Sequence, residues 1–116
     1  VFMNLSLSEL KKSARDATDK CYPKSLAKTG AALLCKDGSI ETGFDVSFND
    51  GFRISAVDMA LSQALSVGKD KFLALAVFTG GELSKSSLKR LAAFGDMMVY
   101  LTDGEKEIQS TLKKLI

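Results

Sequence analysis

An unbroken apolar run is the feature that most restricts the fold of this chain. Residues 72–79 read FLALAVFT, without the alternation of polar residues that a strand with one solvent-facing side requires. A continuous run of this length is typical of a strand that is covered on both faces. We therefore predict a sheet with helices packed against each of its two sides.

The rest of the chain supplies strands and helices in the order that such a sheet needs. Ser6 to Glu9 form a capping-box pattern for a first helix, whose apolar face then recurs every three or four residues. Asp37-Gly38 is a hairpin turn signal between two strands. The predicted elements are helix 7–21, strand 29–36, strand 39–46, helix 53–67, strand 72–79, helix 84–94, a strand within 96–102, and a short strand and helix within 105–116.

This order predicts an α/β fold with a mixed sheet of five strands between helices, a three-layer α/β/α sandwich. The sequence has 116 residues, which is enough for one hydrophobic core, so we expect one domain spanning 1–116. No apolar run is long enough to cross a bilayer, and the N-terminus lacks the pattern of a signal peptide. We therefore expect no contact with a membrane.

Composition excludes several kinds of chemistry. The chain has no histidine, which excludes imidazole bases, Cys-His nucleophile pairs and zinc sites with a histidine ligand. Its two cysteines, Cys21 and Cys35, make neither a disulfide framework nor a four-thiolate zinc site, and free thiols favour the cytoplasm. The net charge of +2 comes from interspersed lysines and acids, which argues against nucleic-acid binding.

Four segments resemble the small zinc-dependent cytidine deaminases and together cover the chain from about Leu7 to its end. Residues 21–46, CYPKSLAKTGAALLCKDGSIETGFDV, are similar to the family's opening loop, first strand and Asp-Gly hairpin. Residues 54–68, ISAVDMALSQALSVG, resemble the helix that the family begins with Cys-Ala-Glu. Residues 83–94, LSKSSLKRLAAF, resemble the Pro-Cys-x-x-Cys segment, and 110–116, STLKKLI, the closing segment. The resemblance implies a cytidine-deaminase-like fold.

The chain departs from the family at the positions that carry its chemistry. The resemblance places the three zinc ligands at Ser55, Ser84 and Ser87, and the general acid/base glutamate at Val57. A neutral hydroxyl binds zinc weakly, and without the metal no water is activated near neutral pH. A one-residue shift would bring Asp58 to the glutamate position, but it spoils the neighbouring matches and restores no ligand. We therefore expect no metal, no cofactor and no zinc-dependent deamination.

The stretch around Ser84 has two interpretations, and both can hold. Locally, Ser84 is a helix N-cap, a role that contributes about 1 kcal/mol to helix stability. As part of the three-serine pattern, it occupies a former zinc-ligand position. The resemblance implies that two helix N-termini meet beside these three hydroxyls, an arrangement that suits water or a small anion, with Arg53 and Lys85 close by in sequence.

The resemblance also gives candidate ligand-binding residues. The family's stacking aromatic falls on Ala27, and its Asn and Glu near the end of the second strand fall on Asp45 and Ser47. Asp45 retains an acceptor for a ribose hydroxyl, and Ala56 adjoins the first serine. The missing ring could come from an aromatic nearby, although packing in the core or a loop is the more ordinary role for these side chains: Tyr22, Phe48 and Phe52.

The sequence therefore favours a catalytically inactive, zinc-free homologue that acts as a ligand-binding or assembly protein. One alternative is a sensor for a nucleoside, a nucleotide or a small anion such as phosphate. Another is a metal-free enzyme with an activated serine. The resemblance further implies a homodimer or homotetramer in the cytoplasm.

Overall fold

A computed structural model describes residues 2–22, 29–79 and 85–116. Its helices are α1 (Phe2–Ala17), α2 (Ala56–Ser66), α3 (Lys85–Ala92) and α4 (Leu112–Leu115), with a 3₁₀ turn at Thr18–Lys20. Its strands are β1 (Thr29–Cys35), β2 (Ile40–Phe44), β3 (Val46–Ser47), β4 (Arg53–Ile54), β5 (Phe72–Thr79), β6 (Met98–Thr102) and β7 (Glu107–Thr111). No helix in these ranges is long and apolar enough to cross a membrane.

The main sheet is mixed, with the strand order β2-β1-β5-β6-β7. Strands β5 and β6 are parallel and joined through α3, whereas every other neighbouring pair in this sheet is antiparallel. Strands β3 and β4 form a separate two-stranded hairpin. The predicted mixed sheet of five strands is confirmed.

Helices cover both faces of the sheet, as the apolar run of β5 predicts. On one face Leu10 and Ala14 of α1 pack against Ala74 and Ala76 of β5. On the other face the alternate residues of β5 contact the apolar sides of α2, α3 and α4: Leu75, Val77, Ala60, Leu61, Leu88, Leu91 and Leu112. Because successive side chains of a strand point to opposite faces, two helical layers require an unbroken apolar sequence. The three-layer arrangement is therefore confirmed.

Glycine allows α2 to approach the sheet closely. A Cβ atom built at Gly43 of β2 would lie 2.1 Å from the carbonyl oxygen of Ala56 and 2.5 Å from the amide nitrogen of Ala60. Both of these are backbone atoms, which cannot turn away as a flexible side chain can. Gly43 thus sets the distance at which the first turns of α2 lie from the sheet.

Two predicted helix starts are wrong. The first helix already begins at Phe2, so Ser6 lies inside it and the capping box at 6–9 does not mark its start. Helix α2 begins at Ala56 rather than Arg53, because Arg53 and Ile54 pair with β3 and Ser55 takes the N-cap position. In both cases a local pattern was compatible with more than one boundary.

Candidate functional site

A polar cavity of about 460 Å³ lies where the first turns of α2 and α3 meet. Its lining comes from β1, the segment between β2 and α2, and the two helices. The lining residues are Thr29, Asp45, Arg53, Ile54, Ser55, Ala56, Val57, Asp58, Ser87 and Arg90.

Two serine hydroxyls of the cavity lining form a hydrogen bond with each other. The Ser55 and Ser87 Oγ atoms are 2.7 Å apart, and Ser87 is buried. Ser55 has extended backbone angles and accepts a hydrogen bond from the Asp58 backbone N–H at 3.1 Å, so it is the N-cap of α2. The cap therefore fixes the hydroxyl of Ser55 beside the first turn of α3.

Asp58 and Arg90 join the same two helices through an ion pair. Arg90 donates from Nε to Asp58 Oδ1 at 2.9 Å and from Nη2 to Asp58 Oδ2 at 2.6 Å. Ser87 Oγ donates to Asp58 Oδ2 at 2.9 Å. We call the four side chains of Ser55, Asp58, Ser87 and Arg90 the polar brace. Hydrogen bonds from Arg90 hold the pKa of Asp58 below its ordinary 3.8; burial opposes this effect, and both serines reinforce it.

The direction of the hydrogen bonds in the polar brace follows from which of its oxygen atoms carry a proton. An ionised carboxylate only accepts, so the single hydroxyl proton of Ser87 goes to Asp58. Ser55 must then donate its own proton to Ser87. Both hydroxyl protons are consequently used within the polar brace, and the oxygens also accept hydrogen bonds there, Ser55 Oγ from the Asp58 N–H and Ser87 Oγ from Arg90 Nη2 at 3.4 Å.

Asp45 forms the opposite side of the α2 N-terminus. Its Oδ1 accepts a hydrogen bond from the Ala56 N–H at 2.7 Å, which satisfies one of the free amides at the start of the helix. Burial raises the pKa of Asp45, and hydrogen bonds from Ala56 and Thr29 with the positive charge of Arg53 offset part of that rise. The surroundings therefore stabilise the ionised form of Asp45 less than that of Asp58.

The opposite pKa shifts of the two carboxylates predict opposite pH dependences. The folded pKa of Asp58 is depressed, so its contribution to stability is present above the ordinary value of 3.8 and is lost as the pH falls through the lower folded value. We expect the stability difference between the wild type and Asp58→Asn to shrink over that acidic range. Urea unfolding at a series of pH values measures this difference.

Asp45→Asn is the matched control for the pH series. The folded pKa of Asp45 is raised, so the wild type gains stability relative to Asp45→Asn as the pH falls through that raised value. On acidification, the stability advantage of the wild type should therefore shrink relative to Asp58→Asn and grow relative to Asp45→Asn. A pH-independent difference for Asp58→Asn would contradict the assignment of its ion pair.

The structure brings together most, but not all, of the residues that the sequence singled out. Besides Ser55 and Ser87, the cavity is lined by Asp45, Arg53, Ala56 and Val57. Val57 is also part of the buried core on this face of the sheet. Ser47 and Lys85 are not among the described lining residues, and Ala27 and Ser84 lie outside the described ranges.

The nearby aromatic side chains do not replace the missing ring inside the cavity. Tyr22, Phe48 and Phe52 are not in its described lining, and they are 57%, 46% and 58% exposed. Their rings contact one another, with centroids 6.2 Å apart for Tyr22–Phe48 and 6.0 Å apart for Phe48–Phe52. We call these three residues the aromatic cluster. Of the two ordinary roles, packing in the core is wrong and packing in a loop fits: Phe48 and Phe52 lie on the β3–β4 hairpin, and Tyr22 pairs with Val46 of β3.

The described donor set does not fit a zinc ion. Zinc prefers thiolate, imidazole or carboxylate ligands, whereas Ser55 and Ser87 offer neutral hydroxyls that are bonded to each other. Within the described parts of the chain, no group of three or more Cys, Asp or Glu is placed to hold a metal ion. Hydroxyls that bond to each other in this way are not a zinc-binding donor set.

Sequence reasoning missed the roles of Asp58 and Arg90. From the sequence alone, Asp58 is a candidate only for a shifted glutamate position, and Arg90 carries no predicted role. The available signal was that Arg90 lies three residues after Ser87, and therefore on the same face of a helix. Its pairing with Asp58 spans 32 positions and is not visible in local sequence.

Comparisons with known proteins give one consistent result. A cytidine deaminase from Sporosarcina psychrophila is 34% identical over 116 residues, covering 92% of this chain and 85% of the relative. A crystal structure of cytidine deaminase from Burkholderia pseudomallei matches with a TM-score of 0.85 and 25% identity, over 94% of each chain. The Mycobacterium leprae enzyme structure, at 20% identity and a TM-score of 0.79 over 95% of this chain and 96% of its own, supports the fold alone. No family model matches the sequence.

Proposed function

Because this chain belongs to the cytidine deaminase family, we propose that it is a zinc-free, catalytically inactive member acting as a ligand-binding or assembly protein. The observation that carries this proposal is the polar brace. Two serine hydroxyls bond directly to each other at 2.7 Å and to an Asp58–Arg90 ion pair. This site satisfies its polar atoms internally, where a metal centre would need several anionic donors.

The chemistry of the polar brace also argues against a metal-free enzyme. A serine nucleophile needs a base that takes its proton, and the group that accepts from Ser87 is the carboxylate of Asp58. Arg90 lowers the pKa of that carboxyl, so it is a weaker base than an ordinary aspartate. Val57, the position matched to the family's glutamate, is an apolar residue buried in the core. We therefore favour binding over catalysis.

The cavity supports the ligand-binding half of the proposal. A volume of about 460 Å³ falls in the range of roughly 300–1,000 Å³ that small-molecule sites occupy. A carboxylate offers about four acceptor positions, and the described donors to Asp45 are the Ala56 amide and the Thr29 side chain. Asp45 could therefore also accept from a ligand hydroxyl. This supports a nucleoside as the first ligand to test.

The exposed aromatic cluster supports the assembly half of the proposal. Two rings on the β3–β4 hairpin and the Tyr22 ring beside it give an apolar surface of the kind that often marks a protein interface. We propose that the single domain 1–116 forms a homodimer or homotetramer. Both cysteines are free and buried, which suits the reducing cytoplasm proposed for it.

Thermal unfolding against a ligand panel tests the proposed function. The panel contains nucleosides, nucleotides and inorganic phosphate, each with and without EDTA. Since a ligand present at about a hundred times its Kd adds about 2.7 kcal/mol of stability, a bound nucleoside should raise the Tm by several degrees. EDTA should leave the wild-type Tm unchanged.

The control for metal dependence is a variant with Ser55→Cys, Ser84→Cys and Ser87→Cys, which restores thiols at the matched positions. Its Tm should rise with zinc and fall again with EDTA. An EDTA-sensitive Tm in the wild type would contradict the zinc-free assignment. If no ligand of the panel raised the Tm, and sedimentation gave a monomeric mass at all concentrations, both halves of the proposal would be contradicted.

A further inference from the structure

The carboxylate of Asp58 occupies the place in the cavity where an external anion would bind best. We propose that Asp58 is a specificity-determining residue that excludes anionic ligands by filling the anion site of Arg90 and Ser87 with the chain's own carboxylate. This inference rests on the proposed ligand-binding role of the cavity. It names the ligand class as neutral or cationic molecules that bring hydrogen-bond donors.

The groups around Asp58 form an oxyanion-binding set. The Arg90 guanidinium donates to both carboxylate oxygens, at 2.9 Å and 2.6 Å, and Ser87 Oγ adds a third donor at 2.9 Å. A guanidinium fork with an adjacent hydroxyl matches the geometry of carboxylate and phosphate groups. In the folded chain, all three donors are bound to Asp58.

Proton direction makes the exclusion specific to anions. The hydroxyl protons of Ser55 and Ser87 are both committed within the polar brace, so neither serine donates to a phosphate oxygen. A phosphate oxygen would meet the negative charge of Asp58. An amine, amide N–H or hydroxyl of a ligand would instead find acceptors.

The other charged residues of the cavity, Asp45 and Arg53, also bear on whether an anion binds. Asp45 adds a second carboxylate to the lining, half-buried at the start of α2. Arg53 is the other cation of the described lining, but it is exposed, so solvent and salt screen its attraction for an anion. With Asp58 and Arg90 paired, Asp45 is the remaining carboxylate of the described lining, and Arg53 offsets part of its charge.

The test is a gain of phosphate binding in Asp58→Asn. Asparagine keeps nearly the same shape but removes the negative charge, which releases the Arg90 fork. We expect inorganic phosphate to bind this variant at least tenfold more tightly than the wild type in an NMR titration at constant ionic strength. The amide signals of Ser55, Ser87 and Arg90 should shift in the variant and stay unchanged in the wild type.

Two further variants make the result specific. Asp45→Asn also removes one carboxylate from the cavity but leaves the Asp58–Arg90 pair intact, so it should respond to phosphate like the wild type. Arg90→Gln added to Asp58→Asn should abolish the phosphate response. Equal phosphate binding by Asp58→Asn and Asp45→Asn would overturn the proposal, because a general charge effect would then suffice.

The inference can also be tested without a folded Asp58→Asn variant. If Asp58→Asn does not fold, Asp58→Ser is the second variant, and the wild-type titration by itself can overturn the inference. Phosphate-induced shifts at Ser55 and Ser87 in the wild type would overturn the inference while leaving a ligand-binding role intact. Failure of every nucleoside to bind would instead count against the ligand-binding half of the proposed function, and the phosphate result would still stand.

Discussion

Replacing Gly43 with alanine should reduce the free energy of unfolding by about 3 kcal/mol, the scale of overpacking in a tight core. The added Cβ would lie 2.1 Å from the Ala56 carbonyl oxygen, whereas real Cβ contacts essentially never fall below 3.0 Å. Helix α2 must then move by roughly an ångström, the difference between these two distances. Urea unfolding of Gly43→Ala and the wild type measures the loss.

Gly30→Ala is the matched control for this displacement. Gly30 lies on β1, and a Cβ there would be 2.1 Å from the Ala14 carbonyl oxygen of α1, on the opposite face of the sheet. Both variants should lose stability, but only Gly43→Ala should increase hydrogen exchange at the Asp58 amide, which is bonded to the Ser55 cap. Wild-type stability in Gly43→Ala would mean that α2 does not approach the sheet this closely.

Removing the carboxylate of Asp58 should cost about 2 kcal/mol, because it takes the acceptor from a buried hydroxyl and breaks a two-pronged arginine pair. Asp58→Ala leaves Ser87, which is 1% exposed, without the carboxylate to which it donates. Arg90→Gln should cost less, since the Arg90 side chain is 57% exposed and returns readily to water. Chemical denaturation of both variants compares these effects.

The double variant identifies whether these residues act as a unit. Asp58→Ala with Arg90→Gln should be little less stable than Asp58→Ala alone, because the first change already removes the contact of the second residue. Arg53→Gln is the control, since Arg53 is an exposed arginine of the same cavity with no ion pair among the described residues. Strictly additive losses would contradict a connected polar brace.

The polar brace also gives a physical account of how a member of this family could retain its architecture without a metal. It connects the first turns of α2 and α3 through side chains that satisfy one another. Every buried side-chain N or O atom in the described residues has a hydrogen-bond partner. The helix ends that meet at the cavity therefore carry no buried unsatisfied polar side chain, which would destabilise the fold.

The layers and the Asp-Gly hairpin were predictable because each depends on short-range rules, whereas the strand order depends on contacts between distant segments. The continuous apolar run of β5 required two helical layers, and Asp37-Gly38 marked the turn that Gly38 makes with φ of 91°. The start of α1 was not predictable from residues 6–9, since a capping-box sequence can also lie inside a longer helix.

Sequence by itself determined the fold and the chemical types at the family's site positions, because periodicity and aligned motifs are properties of the chain. Only the tertiary structure decided what those residues do together. The bond between Ser55 and Ser87, and the pairing of Asp58 with Arg90, join positions 32 residues apart whose contact depends on how closely two helices pack. Periodicity states which face a residue occupies, but the identity of its partner, and hence its charge state and proton direction, follows from three-dimensional distance.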